Sequence, residues 1–189
     1  MSPRVIAGSA KGRRLKMVPG DSTRPVMDRV KEALFSILGM RVAGSNFLDL
    51  YAGTGSVGIE ALSRGATQAT FIELDRLAIK TIQENLKTTR LADQAVIRRV
   101  DVLALLAQSP PEDYDFIYIA PPQYKKLWLK TLEVLDQNPA WISDTTRVIV
   151  QIDPHEQEAV SLTHLQARDE RRYGRTLLWF FDKKEEVDE

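Results

Sequence analysis

The sequence predicts an α/β fold built on a doubly wound, mostly parallel sheet of seven strands. Three observations predict this class. From about residue 46 onward, apolar runs of strand length alternate with segments of helical periodicity. A glycine-rich turn follows the first of these strands, as it does in nucleotide-binding sheets. Two extended runs around 173–175 end the pattern, which predicts a terminal hairpin with an antiparallel strand.

The individual elements follow from the same patterns, taken in chain order. A first helix is predicted at 26–38, because its apolar side chains recur every three or four residues. The predicted strands are 46–51, 68–73, 94–100, 114–119, 146–152, 165–172 and 176–182. The predicted helices between them are 57–64, 76–88, 102–108 and 124–137. We expect three segments, namely a basic N-terminal hairpin or arm over 1–25, the sheet domain over 26–182, and a disordered acidic tail over 183–189.

Composition limits the classes of protein and of site. At 189 residues, the chain is long enough for one domain with a sizeable core. It has no cysteine, which excludes disulfides and thiolate chemistry, and its two histidines, His155 and His164, do not suggest a metal site. No apolar stretch is long enough to cross a membrane, and the N-terminus lacks the apolar core of a signal peptide. We expect a cytoplasmic monomer that binds no metal and no membrane.

The glycine turn after the first strand, Asp49-Leu-Tyr51-Ala-Gly53-Thr-Gly55-Ser-Val-Gly58, is the most informative segment. It joins a strand to a helix, where backbone approaches a ligand closely; a turn that merely needs small residues is the other interpretation. In a dinucleotide enzyme, the carboxylate of Asp49 would add unfavourable charge near the pyrophosphate. Beside the amino group of S-adenosylmethionine it would be favourable. The pattern resembles the first motif of class I methyltransferases, and we assign Asp49, Tyr51, Gly53 and Gly55 to cofactor binding.

The next two strands supply further candidate groups for the same cofactor. Glu73 ends the second strand about 20 residues after the glycine turn, the spacing of an acid that accepts from both ribose hydroxyls. Leu74 follows it and is assigned to the same site, while a merely solvated Glu73 is the alternative. Asp101 and Val102 open the helix after the third strand. Asp101 either accepts from the adenine amino group or only caps that helix.

Charge is distributed unevenly, although the chain is neutral overall. The first 31 residues contain eight Lys and Arg against two Asp. Within them, 4–7 and 14–18 could pair as short strands, which predicts a small hairpin that is either simply solvated or in contact with the phosphates of a polyanion. The residues expected to contact these phosphates are Arg4, Lys11, Arg13, Arg14 and Arg24.

A rigid loop, Ala120-Pro121-Pro122-Gln123-Tyr124, follows the fourth strand and predicts an acceptor site. Prolines fix φ and remove N–H groups, so neighbouring carbonyls are held still as hydrogen-bond acceptors, which suits an amine substrate. A planar exocyclic amine is a weak nucleophile, and acceptors for its hydrogens together with a stacked ring align it for in-line attack. The other interpretation of the double proline is a rigid turn.

Nearly the whole chain carries a set of motifs, namely Arg4-Val-Ile-Ala-Gly8, Lys11-Gly-Arg13, Thr23-Arg24-Pro25, the runs 28–35, 49–58, 60–66 and 71–75, and Arg172-Tyr-Gly-Arg-Thr176. Together these motifs resemble the RsmD-type methyltransferases, and the resemblance is weakest at 138–165. The resemblance implies a Rossmann-like class I methyltransferase fold with S-adenosylmethionine as methyl donor. It also implies that the acceptor is the exocyclic amine of a guanine in bacterial 16S ribosomal RNA, either free or in the assembling small subunit.

The chain departs from this family at the acceptor loop. Where the family has Asp or Asn before Pro-Pro and an aromatic residue after it, this chain has Ala120 and Gln123. We expect a variant active site, in which the carbonyls of Ala120 and Pro121 and the amide of Gln123 accept from the amine and Tyr124 supplies the ring. The alternatives are a noncatalytic RNA-binding protein, an amino-methyltransferase for another substrate, and, from the glycine turn alone, a nicotinamide oxidoreductase.

Overall fold

The computed structural model describes residues 2–20 and 26–185, which form two compact units, one up to residue 102 and one from residue 103 onward. The sequence-based boundaries after residues 25 and 182 stay predictions. No helix within the described ranges is long and apolar enough to span a membrane.

The first unit contains a short N-terminal hairpin, three parallel strands and three helices. In the hairpin, Arg4 and Arg14 form one isolated antiparallel bridge, whereas the short strands predicted at 4–7 and 14–18 do not form. The strands are ordered β3-β2-β1, and Asp49 pairs with Phe71, so β1 and β2 end at the same edge. The elements are α1 (Asp28–Leu38), β1 (Asn46–Asp49), α2 (Ser56–Ser63), β2 (Gln68–Ile72), α3 (Arg76–Thr89) and β3 (Ala95–Arg98).

The second unit contains four strands in the order β4-β5-β7-β6. Strands β4 and β5 are parallel, whereas β7 runs antiparallel to both of its neighbours. The elements are β4 (Phe116–Ile119), α5 (Leu127–Gln137), β5 (Arg147–Ile152), β6 (Leu165–Tyr173) and β7 (Thr176–Lys183), preceded by α4 (Val102–Leu106) at the boundary between the units. The α/β class and the mostly parallel sheet of seven strands with an antiparallel C-terminal strand are therefore confirmed.

Local sequence explains why these elements form. Strand β4, Phe-Ile-Tyr-Ile, is buried throughout, as expected for a parallel strand covered on both faces. Strand β6 is an edge strand rich in charged, exposed side chains, which discourages pairing with other chains. Helix α3 begins after Asp75, whose carboxylate accepts from the Ala78 N–H at 2.8 Å. In α1, Val30, Leu34 and Leu38 are buried on one face.

The predicted boundaries differ from the observed ones most at the start of α5. Observed ends lie within about two residues of the predicted ends elsewhere, because helix and strand termini are weakly encoded locally. The helix predicted from 124 instead begins at Leu127, since Tyr124 and Lys126 have φ of 60° and 53°, outside the helical region. At the other end of the unit, β7 extends to Lys183, and 186–189 lie outside the described residues.

Candidate cofactor and acceptor sites

The turn between β1 and α2 is folded in a way that favours glycine. Gly53 and Gly55 have φ of 56° and 79°, values that strain residues with a side chain. The Gly55 N–H donates to the Ala52 carbonyl at 2.8 Å, which closes the turn directly before α2. A Cβ on Gly53 would meet nothing within 4 Å, so the space over this part of the turn is open. The backbone of the turn at Gly53 is therefore approachable by a ligand.

Asp49, at the end of β1, is buried without full hydrogen bonding. Its side chain is 1% exposed, and within 2–20 and 26–185 its Oδ1 is the one buried side-chain nitrogen or oxygen that lacks a hydrogen-bond partner. Burial raises the pKa of this carboxyl to about 7, although backbone hydrogen bonds from Gly58 and Tyr51 partly oppose the shift. Buried polar atoms normally have partners, so an orphaned acceptor indicates a missing donor.

Glu73, one residue past β2, lies against the glycine turn. Its Oε2 accepts from the Gly53 N–H at 2.9 Å, and its Oε1 accepts from the N–H groups of Leu74 and Asp75 at 2.9 and 3.1 Å. Because an ionised carboxylate offers about four lone-pair sites, it can still accept from another donor. Glu73 is half-buried rather than simply solvated, so the structure holds it at the same edge of the sheet as Asp49.

The remaining cofactor candidates have different degrees of exposure. Leu74 is 50% exposed, so its side chain is accessible to a ligand. Val102 is buried at the start of α4, and Asp101, directly before it, is exposed. Tyr51 is half-buried in the turn after β1. These four side chains provide apolar surface and one further carboxylate.

The acceptor loop of the second unit is fixed mainly through Tyr124. Ala120 and Pro121 are half-buried, while Pro122 and Gln123 are exposed. The Tyr124 hydroxyl donates to Asp153 Oδ2 and its N–H donates to Glu156 Oε1, each at 2.8 Å. Sequence reasoning missed both acids. They follow β5 in an Asp-Pro-x-Glu turn with a capping box, a local pattern that was available in the sequence.

The basic side chains of the N-terminal hairpin face outward. Lys11, Arg13 and Arg14 are all exposed. Arg4 is also exposed, but its guanidinium donates to Asp28 Oδ2 at 2.9 Å, so it is partly committed to an ion pair with α1. Arg24, the fifth residue predicted to contact RNA, lies outside the described residues. The hairpin thus presents at least three cations to solvent, as expected of a phosphate-binding element.

A buried ion pair that sequence reasoning missed attaches the hairpin to α2. Glu60 Oε1 and Oε2 accept from the N–H groups of Ile6 and Ala7 at 3.0 to 3.3 Å, and Lys31 Nζ lies 3.4 Å from Glu60 Oε2. The side chains of Lys31 and Glu60 are both fully buried, and burial lowers the pKa of Lys31. A charged residue in the otherwise apolar helix Ser-Val-Gly-Ile-Glu-Ala-Leu-Ser was the available signal.

Asn85 on α3 links the hairpin to the glycine turn. Its Oδ1 accepts from the Lys16 N–H at 2.7 Å, and its Nδ2 donates to the carbonyls of Lys16 and Thr54 at 3.1 and 2.9 Å. Thr54 lies between the two glycines of the turn. The buried amide of Asn85 therefore connects the N-terminal hairpin, the candidate RNA-binding element, to the glycine turn, the candidate cofactor site. Sequence reasoning gave no role to Asn85.

Comparisons with known proteins find relatives that match most of this chain. Residues 3–182 match the family model described as Conserved hypothetical protein 95. YlbH of Bacillus subtilis, named as a candidate rRNA methyltransferase, is 37% identical over 183 residues, covering 96% of this chain and 99% of that protein. Ribosomal RNA small subunit methyltransferase D of Escherichia coli is 33% identical over 148 residues, covering 78% of this chain and 73% of that protein.

A solved structure matches nearly the full length as well. The protein yhhF of Escherichia coli, described as a candidate methyltransferase, has a TM-score of 0.85 and 29% identity, with 97% of this chain and 99% of that chain covered. The likeness therefore extends over nearly the whole fold.

Proposed function

We propose that this chain, which belongs to the RsmD-type family of small-subunit ribosomal RNA methyltransferases, methylates the exocyclic amine of a guanine. It is an S-adenosylmethionine-dependent enzyme, and its substrate is 16S ribosomal RNA or the small ribosomal subunit. The family resemblance supports the guanine amine as acceptor. Binding of S-adenosylmethionine is supported mainly by the Asp49 carboxylate, which is buried, has one oxygen without a hydrogen-bond donor, and lies beside an open glycine turn.

The donor-site residues fit S-adenosylmethionine. Asp49 Oδ1 lacks a donor and would accept from the ammonium of the methionine part. Three backbone N–H groups hold Glu73 in place, and about one of its four lone-pair sites remains to accept from a ribose hydroxyl. A nicotinamide dinucleotide would instead bring its pyrophosphate to the turn, where the negative charge of Asp49 opposes it.

The other donor-site residues are proposed to bind the adenine end and to close the site. Leu74 and Val102 offer apolar surface to a flat ring, and Asp101 offers an acceptor for the adenine amino group. Tyr51 is proposed to contact the cofactor from the turn.

Methyl transfer places limited demands on the protein. When bound, S-adenosylmethionine supplies a methyl group on a positively charged sulfur, which is already a good electrophile. The chain therefore has to hold the acceptor amine in line and accept its hydrogens, and no strong base is required. The first unit contains the proposed donor-binding residues, and the second unit contains the proposed acceptor loop.

At the acceptor loop, backbone and ring are proposed to replace the missing acidic side chain. The carbonyls of Ala120 and Pro121 and the amide oxygen of Gln123 are candidate acceptors for the amine hydrogens. Tyr124 is 61% exposed, so its ring can stack on a guanine that is flipped or unpaired. Losing one charge-assisted hydrogen bond costs about 2 to 4 kcal/mol at a reacting centre, so the loop should support a slower reaction than its Asp-containing or Asn-containing relatives.

RNA binding is proposed to involve the hairpin. Lys11, Arg13 and Arg14 are exposed on a hairpin held by buried contacts, so their charges are displayed at little further cost in conformational entropy. A ribosomal substrate supports a cytoplasmic location. The monomeric state stays a prediction.

The test of the proposed function is transfer of labelled methyl from S-adenosylmethionine to small ribosomal subunits that lack their methylations. Digestion to nucleosides and mass spectrometry then identify the product. We expect one N2-methylguanosine per subunit. A different methylated nucleoside would refute the guanine assignment, while the absence of any transfer would refute the activity.

A variant at the acceptor loop extends this test. Ala120→Asp supplies the side chain that is usual in the family at this position, and we expect it to raise the rate by about thirtyfold to a thousandfold. If the wild type is inactive, binds cofactor normally and gains activity through Ala120→Asp, the chain is a noncatalytic RNA-binding relative rather than an enzyme. An Ala120→Val variant adds side-chain volume without a hydrogen-bond acceptor, and it controls for a mere change in volume.

A further inference from the structure

We propose that Asp153 and Glu156 are positioning residues for methyl transfer, because together they fix both the backbone and the ring of Tyr124 at the acceptor loop. This role rests on the proposed function of that loop. Both acids belong to the turn that follows β5, an element separate in sequence from the loop they hold.

The backbone of Tyr124 needs such support. Its φ of 60° lies in the left-handed region, which costs a residue with a side chain about 1 to 2 kcal/mol. A conformation of this kind persists when surrounding contacts determine it, and the Tyr124 N–H donates to Glu156 Oε1 at 2.8 Å. The other Glu156 oxygen accepts from the Asp153 N–H at 3.4 Å, in a capping box. One glutamate thus joins the loop to the turn.

The ring of Tyr124 is fixed at its far end. The hydroxyl donates to Asp153 Oδ2 at 2.8 Å, and Asp153 is 1% exposed. The other oxygen, Oδ1, accepts from the backbone N–H of His155 at 3.0 Å and lies 2.8 Å from the His155 ring, so the carboxylate cannot rotate freely. Hydrogen bonds from His155 and from the Tyr124 hydroxyl lower the pKa of Asp153 to about 2, which keeps it ionised as an acceptor.

The tip of the β6–β7 hairpin also reaches this cluster. Arg175 Nη2 lies 3.7 Å from Asp153 Oδ2, the same oxygen that receives the Tyr124 hydroxyl. The hydrogen bond to Asp153 raises the pKa of Tyr124, although Arg175 partly opposes this, so the hydroxyl remains a neutral donor. Three separate segments therefore converge on one carboxylate.

The Tyr124 ring remains exposed after these contacts are made. Tyr124 is 61% exposed although both its N–H and its hydroxyl are bound, so the anchored ring still offers surface for stacking. Orientation matters more here than in relatives with an acidic loop, since Ala120 offers no side-chain acceptor to align the amine. The fixed Tyr124 ring, on which the guanine stacks, is then the main group that aligns the weakly nucleophilic amine.

The test measures single-turnover methyl transfer to undermethylated small subunits in Tyr124→Phe, Asp153→Ser and the double variant. Phenylalanine at position 124 keeps the ring but loses the hydroxyl that binds Asp153. Serine at position 153 keeps a side-chain oxygen that can cap the turn after β5. We expect each single variant to lower the rate about tenfold, the size of one lost hydrogen bond, with unchanged KM for S-adenosylmethionine. The double variant should be no slower than the single variants, because both remove the same contact.

Two controls separate positioning from folding. Tyr173→Phe removes a hydroxyl from the nearby β6–β7 turn and should leave the rate unchanged. Glu156→Gln keeps an oxygen for the Tyr124 N–H and should react faster than Glu156→Ala. A wild-type rate in Tyr124→Phe, or a double variant whose loss is the product of the single losses, would overturn the positioning role alone. No transfer by the wild type would instead refute the proposed function and the inference with it.

Discussion

The two carboxylates of the proposed donor site, Asp49 and Glu73, differ in burial and in hydrogen bonding. Glu73 accepts three backbone N–H groups and is held as a structural part of the glycine turn. Asp49 is more deeply buried, has an oxygen without a donor, and has a pKa raised to about 7. A ligand ammonium at Asp49 would favour the ionised form and lower this pKa, which couples cofactor binding to proton release.

Cofactor affinity should therefore depend on pH through Asp49. We expect S-adenosylhomocysteine to bind the wild type about tenfold more tightly at pH 7 than at pH 5.5, because Asp49 is largely protonated at the lower pH. Asp49→Asn should bind more weakly and lose this dependence. Calorimetric titration at the two pH values measures both effects, and equal slopes in the two proteins would exclude Asp49 as the ammonium acceptor.

The same carboxyl should destabilise the protein without cofactor as the pH rises. Its pKa is raised from 3.8 to about 7, so the folded state binds more protons than the unfolded state between these values, and stability falls across this range. Between pH 5.5 and pH 8, the gain in unfolding free energy from Asp49→Asn should grow by about 2 kcal/mol. Urea unfolding at both pH values measures it, with exposed Asp93→Asn as the control. A gain that does not change with pH would contradict the raised pKa.

At the scale of elements, the main finding is how the N-terminal hairpin is attached. Glu60 accepts from Ile6 and Ala7, and the Ser63 hydroxyl donates to the Ala7 carbonyl and accepts from the Ala10 N–H. Helix α2, which begins directly after the glycine turn, thus also holds the hairpin in place. The basic arm is consequently a docked element, in which buried polar groups are paired between segments more than 50 residues apart in sequence.

Gly8 is the position where this docking is tightest. Its φ is 85°, and a Cβ there would lie 1.8 Å from the Ser63 carbonyl oxygen, a backbone atom that cannot rotate away. We expect Gly8→Ala to destabilise the protein by about 2 kcal/mol or more and to loosen the hairpin. Thermal unfolding and hydrogen exchange of residues 4–15 measure these effects. Gly12→Ala is the matched control, since it has a similar φ of 81° but open space around the Cβ; equal losses in the two variants would refute close contact as the cause.

At the scale of the whole molecule, charge is segregated although the net charge is zero. The exposed cations of the hairpin are concentrated on one small element. Polyanion binding to such a cluster releases counterions, so its affinity falls as salt rises.

Arg13→Ala combined with Arg14→Ala should weaken binding to small-subunit RNA and reduce the salt slope. Each lost phosphate contact removes about 0.7 to 0.9 from the slope of log affinity against log salt, so the pair should reduce it by about 1.5. Lys80→Ala with Lys87→Ala removes two exposed charges from α3 and serves as the matched control. Filter binding over a range of salt concentrations measures the slopes. If the two double variants have the same slope, the hairpin does not contact phosphate.

The sequence by itself determined the α/β class, the order of elements and the glycine turn with its acids, because periodicity and spacing are local properties of the chain. Only the tertiary structure decided that Asp49 is buried without a partner, that Glu60 pairs with Lys31, and that Tyr124 is held by Asp153. These depend on contacts between residues distant in sequence, whose partners no local pattern identifies. Burial removes water from these groups, which changes the pKa of a carboxyl or an ammonium. It also strengthens each hydrogen bond and raises the cost of leaving a polar group without a partner.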